Sequence, residues 1–248
     1  MGVRVRRQLD TQQHFMTPSW TRHLFYRAEH IRTTWKLRLA LVTFVVVVLR
    51  VTCNWWTVAG ARSLVCEENL APSDAILVEN FEPNYLLFKR ATELRRAGLA
   101  ARVLVPIQTN LGTQEPDEVA LGMVLVMARV AGTGTIEAVP TREVEPISLN
   151  AARDVLRFVE QQRIRSVVVV SPWFRSRRSA LVYGATLGGA GITVRCEPVQ
   201  GSMGVDTWTQ SWHGVQDVVE QWLKLQYYRL YVLPFASNPQ KPAAGRSY

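Results

Sequence analysis

Residues 145–178 read EPISLNAARDVLRFVEQQRIRSVVVVSPWFRSRR, and this stretch decides the fold. Apolar residues recur in it at positions i, i+3, i+4 and i+7, the spacing of one helix face: Ala152, Val155, Leu156 and Val159. The β-branched run 167–170 that follows is typical of a central parallel strand covered on both faces. The strand leads into a basic loop with aromatic residues. In open α/β sheets, ligands bind where such strands end, so the stretch also predicts a site.

Strands and helices alternate with short links from residue 64 onward, which is the pattern of a parallel α/β sheet. Five strands are predicted, at Ala75–Val78, Val103–Ile107, about Ile136–Val139, Val167–Val170 and Ile192–Val199. Helices are predicted between and after them, from Pro83 (in the first helical position) to Gly98, from about 116 to 131, over 152–159, from near Arg175 to Gly188, and from about 208 to 231. We therefore expect an α/β fold, a three-layer Rossmann-like sandwich with about five mainly parallel strands.

Positive charge is concentrated at the N-terminus. Residues 1–38 hold eight basic side chains against two acidic ones, so +6 of the formal net charge of +9 lies there. A basic excess just before an apolar run is the positive-inside pattern of a membrane anchor. We expect no nucleic-acid partner, because no aromatic and basic binding module accompanies the charge.

The apolar run that follows covers residues 39–49. It is shorter than the ~20 residues that span a bilayer. However, Trp35 before it and Trp55-Trp56 after it stand about 20 residues apart, and tryptophans mark both membrane interfaces. We predict a basic cytoplasmic segment at 1–36, one uncleaved transmembrane helix at 37–58 and an extracytoplasmic remainder.

Three alternatives to this anchor remain. The run could be a buried core helix, although the charge upstream disfavours that reading. It could belong to a signal peptide cleaved near Ala59-Gly60-Ala61, although a basic leader of 36 residues is long for one. Cys53 could carry a lipid, although Arg50 does not suit a lipid attachment motif.

The exported part is predicted to hold one α/β domain, residues 64–233, and a disordered tail, residues 234–248. Cys66 and Cys196 both fall in this domain, where a disulfide is permitted. The sequence leaves their pairing open. No cysteine has the spacing of a zinc site, and we expect no metal or cofactor.

Three motifs give the chain a resemblance to the YdcF/SanA/ElyC-like family of bacterial proteins, over roughly residues 64–231. The stretch 71–78, APSDAILV, is similar to the family's opening strand and places Asp74 at its acidic position. The stretch 145–150, EPISLN, is similar to the family's glutamate and Ser/Thr-x-Asn at a helix start. The stretch 170–179, VSPWFRSRRS, is similar to its later strand end with paired arginines.

This resemblance implies a protein of cell-envelope or polysaccharide metabolism, tethered to the bacterial inner membrane with its α/β domain outside. The chain also departs from the family pattern. Its loops 79–84 and 106–110 lack the family's glycines, and Arg175 stands in place of the family's histidine. A guanidinium cannot shuttle protons near neutral pH. Activity as a hydrolase or transferase on a phosphorylated envelope precursor therefore stays open.

Polar residues at the strand ends and at one helix start form the candidate ligand-binding set. Its members are Asp74, Glu79, Asn80, Glu145, Ser148, Asn150, Ser171, Arg175 and Arg178; no catalytic residue is assigned. Two arginines at a helix start suit a phosphate or carboxylate, because their forked donors and the helix dipole both favour an anion. Ser148 and Asn150 could instead be helix caps, and Arg177 could face solvent.

Two classes of function follow. In the first, a membrane-anchored envelope protein binds an anionic small molecule or lipid-linked glycan at the carboxyl edge of the sheet. In the second, the protein is a non-catalytic scaffold that binds envelope proteins. Tyr227, Tyr228 and Tyr231, near Lys224 and Arg229, could then sit at a membrane interface.

Overall fold

The computed structural model describes residues 35–109 and 115–236. The predicted cytoplasmic segment as far as residue 34, the loop residue Asn110 and the predicted tail from residue 237 lie outside the described residues. The chain divides into two compact units, one that ends at Val51 and one that begins at Thr52.

Helix α1, Trp35–Arg62, contains the apolar run, whose large side chains are exposed. Within the part of the chain that the structure describes, no single helix has the length and apolar character needed to cross a membrane. The segments Trp35–Cys53 and Trp55–Arg62, bent by 48°, meet that requirement only as a pair, by length and composition.

Five parallel strands form one sheet in the order β3-β2-β1-β4-β5. They are β1 (Ala75–Val78), β2 (Arg102–Gln108), β3 (Glu137–Thr141), β4 (Ser166–Pro172) and β5 (Thr193–Val199). In the middle of the sheet, Ile76 of β1 pairs with Val103 of β2 and with Val168 of β4. The predicted parallel sheet and all five of its strands are confirmed.

The helices follow the strands as the alternation predicts. They are α2 (Tyr85–Arg96), α3 (Glu118–Ala131), α4 (Ile147–Gln161), α5 (Ser176–Thr186), α6 (Trp212–Tyr227), a π-helical turn (Tyr228–Val232) and α7 (Leu233–Ala236). The prediction for Pro83 is wrong, because α2 begins two residues later. Its N-cap is Asn84, whose side chain accepts a hydrogen bond from the backbone N–H of Leu86 at 3.0 Å.

Side chains of β1 alternate between two apolar clusters, one on each face of the sheet. Ala75 and Leu77 pack with residues of α4, α5 and the π-helical turn. Ile76 and Val78 pack with residues of α2 and α3. Helices therefore cover both faces, which confirms an α/β Rossmann-like sandwich.

The strand order reverses direction between β1 and β4. The chain moves outward from β1 to β2 and β3, then returns so that β4 lies on the other side of β1. Helix α2, which follows β1, and helix α5, which follows β4, pack on opposite faces of the sheet. The carboxyl ends of β1 and β4 therefore border a crevice of the kind in which open α/β sheets bind ligands.

A disulfide joins Cys66, before β1, to Cys196 in β5, with their Cα atoms 6.5 Å apart. The segment that contains Cys66 also holds the start of α5. The backbone N–H of Cys66 donates to the hydroxyl of Ser176 at 3.0 Å, and the backbone N–H of Arg177 donates to the carbonyl of Leu64 at 2.9 Å. The sequence left the pairing of Cys66 with Cys196 open. In the structure this disulfide fixes the segment that holds the start of α5, the helix that carries Arg178.

Candidate functional site

A cleft of about 350 Å³ opens at the carboxyl edge of the sheet. Four members of the candidate set line it together: Glu145, Ser148, Arg175 and Arg178. The remaining lining residues come from the end of β2, from loops after the strands and from α4, α6 and the π-helical turn: Phe81, Glu82, Gln108, Glu143, Ile147, Lys224, Tyr227 and Tyr228. The structure therefore brings together the two sequence motifs at 145–150 and 170–179.

Arg178 lies in the first turn of α5 and is 8% exposed. Its Nη1 lies 3.4 Å from the hydroxyl of Ser148, and its Nη2 lies 3.3 Å from the side-chain oxygen of Gln221. Its guanidinium carbon is 5.6 Å from the ring centroid of Tyr228. Among the described residues, no carboxylate forms an ion pair with Arg178, and its Nε has no hydrogen-bond partner. A buried cation is thus held by long contacts with neutral groups.

Burial lowers the pKa of the Arg178 guanidinium below its ordinary value, and the nearby Arg175 cation acts in the same direction. The carboxylate of Glu79 opposes this shift. A desolvated charge gains most from a partner of opposite sign, because the attraction increases as the surroundings become less polar. Arg178 therefore favours an anion in the cleft.

Arg175 ends the short 3-10 turn after β4 and is 6% exposed. Its Nη2 donates to Glu82 Oε1 at 2.5 Å, while the Glu82 side chain is 76% exposed. Arg175 and Glu82 also line a second cavity of about 250 Å³, next to Trp173, Met203 and Asp217. One ion pair therefore borders both cavities, and water can compete for its carboxylate.

Glu79 and Ser171 are buried where β1 and β4 end. The hydroxyl of Ser179 donates a short hydrogen bond to Glu79 Oε2. Among the described residues, the Ser171 hydroxyl, the Asn80 side-chain oxygen and the Tyr183 hydroxyl have no partner. Asn80 lines a separate cavity of about 80 Å³ beside β2 and α3. Glu79 therefore contributes charge close to the cleft, while Asn80 lies in a different cavity.

Ser148 and Asn150 are not helix caps. Helix α4 begins at Ile147, and its N-cap, Pro146, makes no side-chain cap hydrogen bond. The backbone N–H of Ser148 donates to the Tyr228 hydroxyl at 3.1 Å, and the Ser148 hydroxyl contacts Arg178. The side-chain amide of Asn150 donates to the carbonyl of Val144 at 2.9 Å. Ser148 thus belongs to the cleft, whereas Asn150 fixes the loop that precedes α4.

Asp74 lies at the amino end of β1, away from the carboxyl edge. Its Oδ2 accepts hydrogen bonds from the backbone N–H groups of Arg165 and Ser166, at 2.8 and 2.9 Å, and from the Ser166 hydroxyl at 3.0 Å. The structure therefore does not bring Asp74 together with the cleft residues. Asp74 ties the start of β1 to the start of β4.

We expect Asp74→Ala to weaken the fold and leave ligand binding in the cleft unchanged. Hydrogen bonds, first of all from the Arg165 backbone, lower the pKa of Asp74 below its ordinary value. Asp74 therefore stabilises the fold fully at pH values above its ordinary pKa, which is about 4. This stabilisation is lost as the pH falls further, through the lowered pKa of the folded state. Urea unfolding of both proteins between neutral and acid pH measures this. A stability difference that persists unchanged at low pH would contradict this assignment.

Sequence reasoning missed several residues that shape the cleft. It did not assign Glu82 or Glu143 to the site, and it considered Lys224, Tyr227 and Tyr228 only as part of a surface for a membrane or a partner protein. The available signal was the spacing of Gln221, Leu225 and Tyr228, which is typical of one buried helix face. Within residues 35–109 and 115–236, no group of three or more His, Cys, Asp or Glu side chains is placed to hold a metal ion.

The strand order and the polar crevice beside β1 and β4 define a Rossmann-like α/β protein. No protein-family model and no curated protein matches the chain. A solved structure to which it is similar is the reductase domain of an aureusimine biosynthetic cluster, at 14% sequence identity and a TM-score of 0.33. The match covers 55% of this chain and 51% of that one, so the chain spans about half the length of this neighbour. The similarity carries no argument about activity.

Proposed function

We propose that the protein binds an anionic ligand, bearing a phosphate or carboxylate, in the cleft at the carboxyl edge of its sheet. The observation that carries the proposal is Arg178, a buried guanidinium without an ion-pair partner among the described residues. Protein interiors rarely retain such a charge unless a partner compensates it. Arg175, next to it, can supply a second guanidinium if the ligand displaces the exposed carboxylate of Glu82.

The ligand class that fits best is a phosphorylated glycan or a related envelope precursor. The cleft combines its cations with Glu143 and Glu145, which are exposed. Carboxylates accept hydrogen bonds from sugar hydroxyls, and the rings of Tyr227 and Tyr228 offer apolar surface. An anionic group at the arginines with hydroxyls toward the glutamates would satisfy both kinds of lining residue.

We place this domain outside the inner membrane of a bacterium, as a divergent YdcF-like envelope protein held by α1. The exposed apolar side chains of α1 and the basic residues before it support an anchor with its N-terminus in the cytoplasm. The disulfide between Cys66 and Cys196 is of a kind that persists in oxidising compartments. A hydrolase or transferase activity is compatible with this proposal, and no catalytic residue is assigned.

The test is thermal-shift binding of the full chain in detergent against inorganic phosphate, polyprenyl phosphates, sugar nucleotides, nucleotides and phosphorylated glycans. A ligand at 100 times its Kd stabilises a protein by about 2.7 kcal/mol, which raises Tm by roughly 5–10 °C for a chain of this size. We expect such a shift for the wild type and none for Arg175→Ala/Arg178→Ala. Arg177→Ala is the matched control, because Arg177 is the exposed arginine between them. A flat panel on folded protein would contradict the proposal.

A second candidate function is a non-catalytic scaffold in an envelope assembly. The observation that favours it is a row of exposed aliphatic side chains on α3: Val119, Met123, Val126 and Val130. Exposed apolar rows of this kind mark contact surfaces. If Val126→Asp abolishes the function of the protein in cells while Arg178→Met preserves it, the protein acts as a scaffold and the anion-binding proposal is wrong.

A further inference from the structure

The last helical run, α6 through α7, is apolar on two sides. One side is buried against the domain, at intervals of three and four residues: Gly214, Val218, Gln221, Leu225, Tyr228 and Val232. Another set is exposed, and we name it the aromatic face: Trp212, Val219, Trp222, Leu223, Tyr227, Leu230, Tyr231 and Phe235. A helix that is apolar on all sides is usually buried on all sides. The aromatic face is exposed in this structure, so a binding surface that would bury it is expected.

Aromatic rings dominate this face and contact one another. Tyr227 stacks on Tyr231 with ring centroids 5.6 Å apart, and Tyr231 lies 5.2 Å from Phe235. Tryptophan and tyrosine are the residues that membrane proteins place at the level of lipid headgroups, since their rings are apolar and their N–H or O–H groups are polar. The exposed row on α3 lacks aromatic residues and has no such preference.

The second half of this run is basic, although its first half holds Asp217 and Glu220, and Glu220 pairs with Lys224. From Gln221 to the C-terminus the sequence contains four basic residues and no acidic one. Two of the basic residues, Lys224 and Arg229, lie in the described helical run, and Arg229 is exposed. A basic helical segment with exposed aromatic residues complements an anionic lipid surface in both hydrophobicity and charge.

We propose that the aromatic face rests on the surface of an anionic phospholipid bilayer. Helix α6 and the turns after it would then lie in the interface and not cross it, because their other side is committed to the domain. Tyr227 and Lys224 also line the ligand cleft. If the proposed function is right, docking of the aromatic face would place the mouth of the cleft beside the lipid headgroups. Anionic groups carried by lipids would then reach the cleft directly.

Spin labelling of the full chain in liposomes tests this. In a Cys53→Ser background, a nitroxide at Leu230→Cys reports the aromatic face. A nitroxide at Val126→Cys is the matched control, since Val126 on α3 is 60% exposed and Leu230 is 69% exposed. We expect the label at 230 to collide more with oxygen and less with a water-soluble nickel complex than the label at 126. In anionic vesicles, Arg229→Gln should lower the equilibrium constant for docking about fivefold, since one cation near such a surface contributes about that factor.

Flotation of the same samples separates the possible failures. If the chain floats with the vesicles and the label at 230 is as accessible to nickel as the label at 126, this inference is overturned and the anchor stands. If the chain does not float, both the docking and the anchor are overturned. If the label is buried in lipid while no phosphorylated ligand binds, the docking stands and the proposed ligand function fails.

Discussion

Arg178→Met is expected to weaken binding of the anionic ligand by roughly 30-fold or more. Loss of one partner from a buried, hydrogen-bonded charge pair costs about 2 to 5 kcal/mol, and 2 kcal/mol corresponds to that factor. Methionine fills similar apolar volume without the charge, so the cleft keeps its lining while it loses its strongest attraction for an anion. Calorimetric titration with the best ligand of the thermal-shift panel measures the change.

Stability should respond to this substitution differently from binding. Arg178 and Glu79 are both buried and act on each other electrostatically. The two side chains form no ion pair, but Arg178→Met removes a nearby cation that offsets the buried charge of Glu79, which we expect to cost up to about 3 kcal/mol in the free energy of unfolding. The double variant Glu79→Gln/Arg178→Met removes both charges and should recover most of that loss, while binding stays weak. Recovery of binding in the double variant would show that Arg178 only compensates Glu79.

The matched control is Arg177→Met, one residue earlier on the same helix. Arg177 is exposed, so its substitution should change neither property beyond about 0.5 kcal/mol. Equal losses of binding at 177 and 178 would indicate a diffuse positive surface in place of a defined cleft.

Cys66→Ala/Cys196→Ala should lower the free energy of unfolding by about 4 kcal/mol. The disulfide links residues separated by 130 positions, and a closed loop of that size restricts the unfolded chain strongly. For a protein of this length, the loss corresponds to a fall in Tm of roughly 8–16 °C. Thermal unfolding with and without reductant measures it, and reduction of the wild type should give the same result as the double substitution.

Loss of the disulfide should also weaken ligand binding. The segment that Cys66 fixes supports Ser176 and Arg177 at the start of α5 through two hydrogen bonds. A looser start of this helix would move Arg178 relative to Ser148. Cys53→Ser is the control, because Cys53 is an exposed free cysteine and should affect neither property. An unchanged Tm after reduction would contradict the pairing.

Strands β1, β2 and β4 were predictable because each contains a continuous apolar run between polar turns, and β3 and β5 because β-branched and apolar residues recur between turn residues. The run 167–170 is as buried in β4 as its β-branched composition indicates. Helix starts were less predictable. The sequence placed Pro83 inside a helix, but Asn84 provides the cap that the first free N–H groups need. Capping by Ser148 and Asn150, which the sequence left as an alternative, does not occur: Ser148 contacts Tyr228 and Arg178, and Asn150 binds the carbonyl of Val144 in the preceding loop.

The site was half predictable, for a related reason. The arginines at 175 and 178 follow a strand end, so their place at the carboxyl edge could be inferred from strand direction. Asp74 precedes β1, and the same reasoning applied to its position would have placed it at the opposite edge. Glu82 could not be assigned as the partner of Arg175, because it lies 93 residues away and nothing local in its loop indicates a partner.

The sequence by itself determined the elements of this protein, since apolar periodicity and turn residues act over neighbouring positions. It also determined the accumulation of positive charge at both ends and the clustering of aromatic residues near the C-terminus. Only the tertiary structure decided that β4 pairs with β1, that Cys66 meets Cys196, and that Tyr228 meets both Ser148 and Arg178. These contacts join residues far apart in the chain. They form because both faces of one sheet must be covered together, and no local pattern encodes which distant residues then meet.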